Sequence, residues 1–149
     1  MKIAEASVEA AGAGTPPDLP PVAGLSPNGR TVLERRYLRR DAAGRPAERP
    51  EDLFWRVARG VAQAEAAHVA HGEDPTDRVR RFAREFYAMM ARLDFLPNSP
   101  ALMNAGRPLG QCFACFVLPV EDTILSERDD GIFDTIRSAA YIHKTVGGT

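Results

Sequence analysis

The apolar spacing between Pro50 and Pro97 constrains the fold of this 149-residue chain more than any other feature of its sequence. Apolar residues recur there at intervals of three and four, which is the spacing of one helix face. The spacing predicts an amphipathic helix from Pro50 to about His68 and a second one, capped by Asp77, that Pro97 ends. The apolar positions of the two runs are Leu53, Phe54, Val57, Ala58 and Val61, then Val79, Phe82, Phe86, Met89, Met90 and Leu93.

The residues that precede these helices have two different characters. Residues 1–24 are rich in Ala, Gly and Pro and lack the apolar periodicity that would offset the entropy of ordering, so we expect a disordered tail. The sequence from Leu25 to Arg40 predicts a short helix that leads into an extended stretch. Residues 25–95 are therefore expected to form an all-α region.

The pattern changes after residue 95. The Pro97-Asn98-Ser99-Pro100 stretch is typical of irregular backbone, and Cys115 to Val120 predicts a short strand buried on both faces. A helix from about Gly131 to His143 follows. A strand, a loop and a helix indicate the first βα unit of an α/β domain over residues 96–149. Because that unit alone leaves a strand edge unpaired, and the last residues are Gly-Gly-Thr, we expect a fragment of a longer protein.

Charge and hydropathy exclude two classes of partner. The formal net charge is −1 and the isoelectric point is about 6.3, with both signs of charge interspersed, which is unlike a nucleic-acid binder. The apolar runs are too short to cross a bilayer, and no signal peptide is visible at the amino terminus. We therefore expect a cytoplasmic protein that binds neither nucleic acid nor membrane.

Cys112 and Cys115 are the only cysteines of the chain. A zinc site needs four ligands, and no second ligand pair stands at a suitable spacing, so no metal site is expected. A thioredoxin-like motif would open a helix, whereas this pair leads into the predicted strand. Residue chemistry alone leaves two alternatives for Cys115, a buried thiol or a redox thiol whose partner lies elsewhere. Cys112 is interpreted as a packed core thiol.

Two segments carry a resemblance to a known family. The stretch FLPNSPALMNAGRPLGQCFACFVLPVEDT, with GIFDTIRSAAYIHKTVGGT after it, is similar to the amino-terminal barrel segment of adenosylcobalamin-dependent, class II ribonucleotide reductases. The stretch LSPNGRTVLERRYLRRDAAGRPAERPEDLFWRVARGVA resembles the helical region that precedes this barrel in the same family. The resemblance implies a mostly α chain in which that helical region is followed by the first strand and helix of a truncated, ten-stranded α/β barrel.

The resemblance also implies roles for individual residues. Cys115 matches one of two cysteines that form a disulfide as the ribose is reduced, and its partner would lie beyond Thr149. Ser99, Ala114, Cys115 and Gly147 match positions that bind the nucleotide substrate. Asp122 matches an acidic position that helps to bind the effector nucleotide in the wider reductase family.

The implied activity is reduction of ribonucleoside diphosphates to deoxyribonucleotides by thiyl radical chemistry, for DNA synthesis. The implied cofactor is adenosylcobalamin, bound mostly by the missing part, and the implied partners are a deoxynucleotide or ATP effector, a thioredoxin-like reductant and a second copy of the full chain. The fragment alone is expected to be inactive. Three alternatives stay open: a diiron-dependent reductase, a triphosphate substrate, and a stand-alone helical binding or regulatory module.

Overall fold

The computed structural model describes residues 15, 16, 18–144 and 147–149. Within them the chain forms five α-helices and one short 3-10 helix. The helices are α1 (Pro27–Arg36), α2 (Pro50–Ala62), α3 (Pro75–Ala91), α4 (Ser99–Asn104) and α5 (Ile132–Lys144), and the 3-10 helix (Gln63–Ala67) follows α2 directly. The prediction of a mostly helical chain is confirmed.

Helices α2 and α3 pack against each other and form the core. Their facing sides carry the fully buried Leu53, Phe54, Val57 and Tyr87. The rings of Trp55 and Tyr87 meet edge to face, with centroids 6.1 Å apart. This is the packing that the spacing of three and four predicts, since it places one apolar face of each helix toward the other.

The helix boundaries differ from the predicted ones by a few residues. The helix expected to reach His68 ends as an α-helix at Ala62 and continues as the 3-10 helix. Helix α3 is capped by Asp74, whose side chain accepts a hydrogen bond from Thr76 N at 2.7 Å, and Asp77 lies inside its first turn. The prediction that Asp77 is the cap is wrong, because Pro75 suits the first helical position and the residue before it takes the cap.

The expected disordered tail lies partly outside the described residues, because residues 1–14 and 17 are not among them. The described remainder of residues 15–24 packs against α2 and α3, which corrects the expectation there. Ala23 N donates to Ala91 O at 3.2 Å, and Tyr87 Oη donates to Pro20 O at 2.7 Å. Leu19 and Val22 pack against the core, and these contacts offset the entropy of ordering.

The predicted strand over residues 115–120 does not form in this chain. Of these residues only Cys115 makes a bridge, a parallel one to Gly148. Val117 is 98% exposed and Val120 is 63% exposed, so the expected burial on both faces is wrong as well. A buried parallel strand needs a neighbour on each side and a layer on each face, and the described part of the chain supplies only the single bridge.

Helix α5 follows the predicted boundaries closely but contributes little to the core. Ile132, Phe133, Ile136 and Tyr141 are all exposed, and the buried residue of the helix is Asp134. In the part of the chain that the structure describes, no helix is long and apolar enough to cross a membrane.

Candidate functional site

Ser99 opens α4 and lies against the end of α1. Asn98 caps α4 by accepting a hydrogen bond from Ala101 N at 3.1 Å, which fixes the first turn. The hydroxyl of Ser99 is 2.8 Å from Tyr37 Oη, and either hydroxyl can donate in this bond. Tyr37 follows α1 directly. The sequence predicts irregular backbone here, and the short helix that presents Ser99 was missed because its apolar residues are too few to show a period.

The other end of α4 is held by Arg56 of α2. Arg56 Nη1 donates to Ala105 O at 2.6 Å, and Nη2 donates to Leu102 O at 3.3 Å. Its Nε forms an ion pair with Glu48 Oε1 at 2.8 Å. One guanidinium therefore satisfies the last carbonyls of α4 and neutralises a buried carboxylate.

The surroundings of Glu48 hold more cations than anions. Glu48 is paired with Arg56 and lies 4.0 Å from Arg39 Nε. Arg107 lies close enough that its pKa responds to both Arg56 and Glu48, and burial is the main reason that this pKa is lowered. Arg107 Nη2 donates to Tyr37 O at 3.3 Å, whereas its buried Nε has no hydrogen-bond partner in the described part of the chain. This excess of guanidinium groups favours an anion nearby.

Ala114, Cys115 and Gly147 are brought together by the last residues of the chain. Gly148 N donates to Ala114 O at 2.7 Å, and Phe116 N donates to Gly148 O at 2.9 Å. The bridge between Cys115 and Gly148 is the centre of this ladder. Three of the four residues that the resemblance assigns to the substrate therefore lie along one short stretch of paired backbone.

Gly147 occupies a position where an added side chain would force its neighbours to shift. A Cβ there would lie 2.6 Å from Ile142 Cγ2 and 3.0 Å from the Phe116 ring. Gly147 N also donates to Ile142 O at 3.0 Å, which ties it to α5. The absence of a side chain lets the backbone after α5 approach the segment that contains Cys115.

The two cysteines are free thiols in different environments. Cys115 is exposed, whereas Cys112 is half-buried, packs against the core and donates to Gly110 O at 3.4 Å. Burial raises the pKa of the Cys112 thiol. The exposed Cys115 is thus the more accessible of the two for thiol chemistry.

Asp122 lies in an exposed loop that is closed by backbone hydrogen bonds. Glu121 N donates to Asp130 O at 2.7 Å, and Ile132 N donates to Thr123 O at 2.9 Å. The carboxylate that anchors this loop is Asp134, 3% exposed, which accepts from Ser126 N at 2.8 Å. The sequence did not single out Asp134. Its position on a predicted helix gives no sign that its side chain binds the preceding loop.

The predicted site residues fall into three places. Ala114, Cys115 and Gly147 form one group, Ser99 belongs to the α1–α4 contact, and Asp122 belongs to the loop before α5. Tyr37, Arg56 and Arg107 are the neighbours of Ser99 and α4 that sequence reasoning did not single out. Among the described residues, no group of three or more His, Cys, Asp or Glu side chains is placed to hold a metal ion.

Residues 23–110 match the family model described as ribonucleotide reductase, all-alpha domain. The chain belongs to the ribonucleotide reductase family. The matched range runs from the segment before α1 to the end of the α4 loop, and it contains Tyr37, Arg56, Ser99 and Arg107. The helical core is therefore the all-α domain of a reductase.

Relatives of this reductase chain include both cobalamin-dependent and other large chains. It is 45% identical over 119 residues to a vitamin B12-dependent ribonucleoside-diphosphate reductase of Mycobacterium tuberculosis, an alignment that covers 80% of this chain and 16% of the relative. A protein of the same name from Thermoplasma acidophilum is 34% identical, with 84% of this chain and 22% of the relative covered. The ribonucleoside-diphosphate reductase large chain of Schizosaccharomyces pombe is 38% identical, with 80% and 12% covered. The chain thus spans less than a quarter of the length of each of these relatives.

Proposed function

We propose that this chain is the amino-terminal part of an adenosylcobalamin-dependent ribonucleoside-diphosphate reductase, and that residues 96–149 begin its catalytic barrel. The observation that carries this proposal is the ladder that joins Ala114 and Cys115 to Gly148. These hydrogen bonds bring the Cys115 thiol and two backbone segments next to each other. They occur in a chain that is 45% identical to a reductase named for vitamin B12. The complete reductase would act in the cytoplasm and supply deoxyribonucleotides for DNA synthesis.

Cys115 is the proposed redox thiol of this segment. A ribonucleotide loses its 2'-hydroxyl as water, and the two electrons come from two thiols that are oxidised to one disulfide. Cys115 supplies one of these thiols, and a cysteine in the remainder of the reductase supplies the other. A thioredoxin-like dithiol then reduces the disulfide by exchange. The exposure of Cys115 in this chain agrees with a thiol that meets a ligand or a second thiol.

Ser99, Ala114 and Gly147 are the proposed substrate contacts. A serine hydroxyl suits phosphate and ribose oxygens. Gly147, whose N–H already donates to Ile142 O, would act by letting the backbone approach the ligand.

Tyr37 links Ser99 to a cation, since its hydroxyl lies 2.8 Å from the Ser99 hydroxyl and its carbonyl oxygen accepts from Arg107 Nη2 at 3.3 Å. A guanidinium group there favours an anionic ligand. Asp122 is the proposed contact to the effector nucleotide, and a second copy of the full chain is the proposed partner of the assembly.

The described residues do not fit a cobalamin site. They contain no cluster of metal-ligating side chains, and the three histidines are all exposed. We therefore propose that the remainder of the reductase binds the cofactor. The same remainder would contain the cysteine whose thiyl radical starts the reaction.

The test uses the complete reductase, which is the product of the same gene translated beyond the codon for Thr149. We expect formation of deoxyribonucleoside diphosphate that requires adenosylcobalamin and a dithiol but no diiron subunit. Cys115→Ser should abolish turnover with the dithiol, whereas Cys112→Ser, the matched control three residues away, should retain it. Normal turnover of the Cys115→Ser enzyme would refute the redox role, and activity without adenosylcobalamin would refute the class.

A further inference from the structure

The contact between Tyr37 and Ser99 joins two parts of the chain that are 62 residues apart. The phenol lies 2.8 Å from the Ser99 hydroxyl, in a partly buried position. Nothing in the sequence near Tyr37 resembles a substrate-binding motif. This long-range hydrogen bond is made to the hydroxyl that is proposed to bind substrate, which suggests a functional role for Tyr37.

We propose that Tyr37 is a positioning residue for the substrate contact made by Ser99, an inference that rests on the proposed function. A serine hydroxyl can accept one hydrogen bond and donate another at the same time. When Tyr37 Oη donates to Ser99 Oγ, the serine proton is free to point at a phosphate or ribose oxygen. The phenol thereby selects the rotamer and the donor direction of Ser99.

Tyr37 is itself held in a way that suits this role. Its N–H donates to Leu33 O at 2.9 Å as the cap of α1, and the buried Leu33 and Leu38 anchor this end of the helix in the core. Arg107 Nη2 holds its carbonyl oxygen from the other side. The backbone that carries the phenol is therefore fixed. A fixed backbone lets Tyr37 orient the Ser99 side chain.

Ser99 is presented by a helix that is fixed at both ends. Tyr37 contacts its first residue, and Arg56 binds Leu102 O and Ala105 O at its other end. With the backbone of α4 held by Arg56, the remaining freedom of Ser99 is the rotation of its side chain. Tyr37 removes that freedom, so its loss should weaken substrate binding more than it weakens the fold.

The experiment measures steady-state kinetics of the complete reductase with a ribonucleoside diphosphate as the varied substrate. Tyr37→Phe keeps the ring and removes the hydroxyl, and we expect KM to rise by about fivefold with kcat within about twofold, the effect of one lost neutral hydrogen bond. Ser99→Ala should raise KM by at least as much. The double variant should be no worse than Ser99→Ala alone, because Tyr37 acts only through that hydroxyl.

Tyr87→Phe is the matched control. It removes a phenol hydroxyl that also makes a partly buried hydrogen bond, but to Pro20 O at 2.7 Å and not to Ser99. We expect it to lower thermal stability and leave KM unchanged. A KM effect of Tyr87→Phe equal to that of Tyr37→Phe would overturn the inference, since general loosening would then explain both.

Two further outcomes separate this inference from the proposed function. If Ser99→Ala leaves KM unchanged, Ser99 does not bind substrate, and the proposed site and the inference both fail. If Ser99→Ala raises KM while Tyr37→Phe does not, or if the two effects add in the double variant, the site stands and the role of Tyr37 is overturned.

Discussion

Arg56 and Glu48 form an ion pair from which water is almost excluded. The Nε and Oε1 atoms are 2.8 Å apart, and the side chains are 10% and 3% exposed. The pair ties the segment before α2 to α2 itself, and the same guanidinium reaches the end of α4. Breaking it would leave a buried charge without its partner, which is among the more destabilising changes a protein can undergo.

Glu48→Gln should therefore lower the free energy of unfolding of the chain by about 3 kcal/mol. The amide keeps the shape of the carboxylate but leaves Arg56 without a counter-charge. The measurement is urea denaturation followed by far-ultraviolet circular dichroism. Asp94→Asn is the control, since the Arg92–Asp94 pair is 59% and 55% exposed and should contribute less than about 1 kcal/mol. Equal losses for the two variants would contradict this reading of the buried pair.

Gly60→Ala should destabilise the chain although alanine is the better helix former. A Cβ on Gly60 would lie 2.5 Å from Gly106 N and 3.1 Å from Ala105 C, and both are backbone atoms that cannot move alone. We expect a loss of about 1 to 3 kcal/mol in the free energy of unfolding. Gly29→Ala in α1 is the control, because the nearest atom is the Ser26 hydroxyl at 3.2 Å. A Gly60→Ala chain as stable as the Gly29→Ala chain would show that α2 and the loop after α4 are not in close contact.

Asp52 should make the stability of the chain depend on pH. The hydrogen bond from Arg49 holds the pKa of the Asp52 carboxyl well below its usual range, with Thr15 contributing further hydrogen bonds. Because the folded pKa lies below the unfolded value of about 3.9, the carboxylate stabilises the fold above that pH and the stabilisation is lost as the pH falls.

The stabilities of the chain and its Asp52→Asn variant can be compared across pH. The variant should be less stable by about 1 kcal/mol above pH ~5, and the difference should shrink below pH ~4. Urea denaturation at a series of pH values measures it. A difference that keeps its size down to the lowest pH would show that the charge of Asp52 does not contribute.

Cys115 should react with thiol reagents faster than Cys112. Cys115 is exposed, whereas Cys112 is half-buried and has a pKa raised by burial, so less of it is thiolate at neutral pH. With a chromogenic disulfide reagent we expect two phases, of which Cys115→Ser removes the fast one and Cys112→Ser the slow one. The opposite assignment would show that the two environments are exchanged in solution.

Several features of this reductase chain were predictable from local pattern. Helices α2, α3 and α5 follow the spacing of apolar residues, and prolines mark the starts of α2 and α3. The segments around Ser99 and Cys115 also pointed to the ribonucleotide reductases, and the match of residues 23–110 confirms that family. These features depend on residues that are close together in the chain.

Other features depend on contacts between distant residues, and only the tertiary structure decided them. The sequence determined the longer helices α2, α3 and α5, since their residues three and four apart form one apolar face, but it did not reveal the six-residue α4. It could not determine that residues 18–24 pack on α3, that Val117 stays exposed, or that Tyr37 meets Ser99. Burial and pairing of this kind depend on which surfaces the rest of the chain brings close. A segment with the sequence pattern of a strand but without partner strands therefore keeps its apolar residues exposed to water.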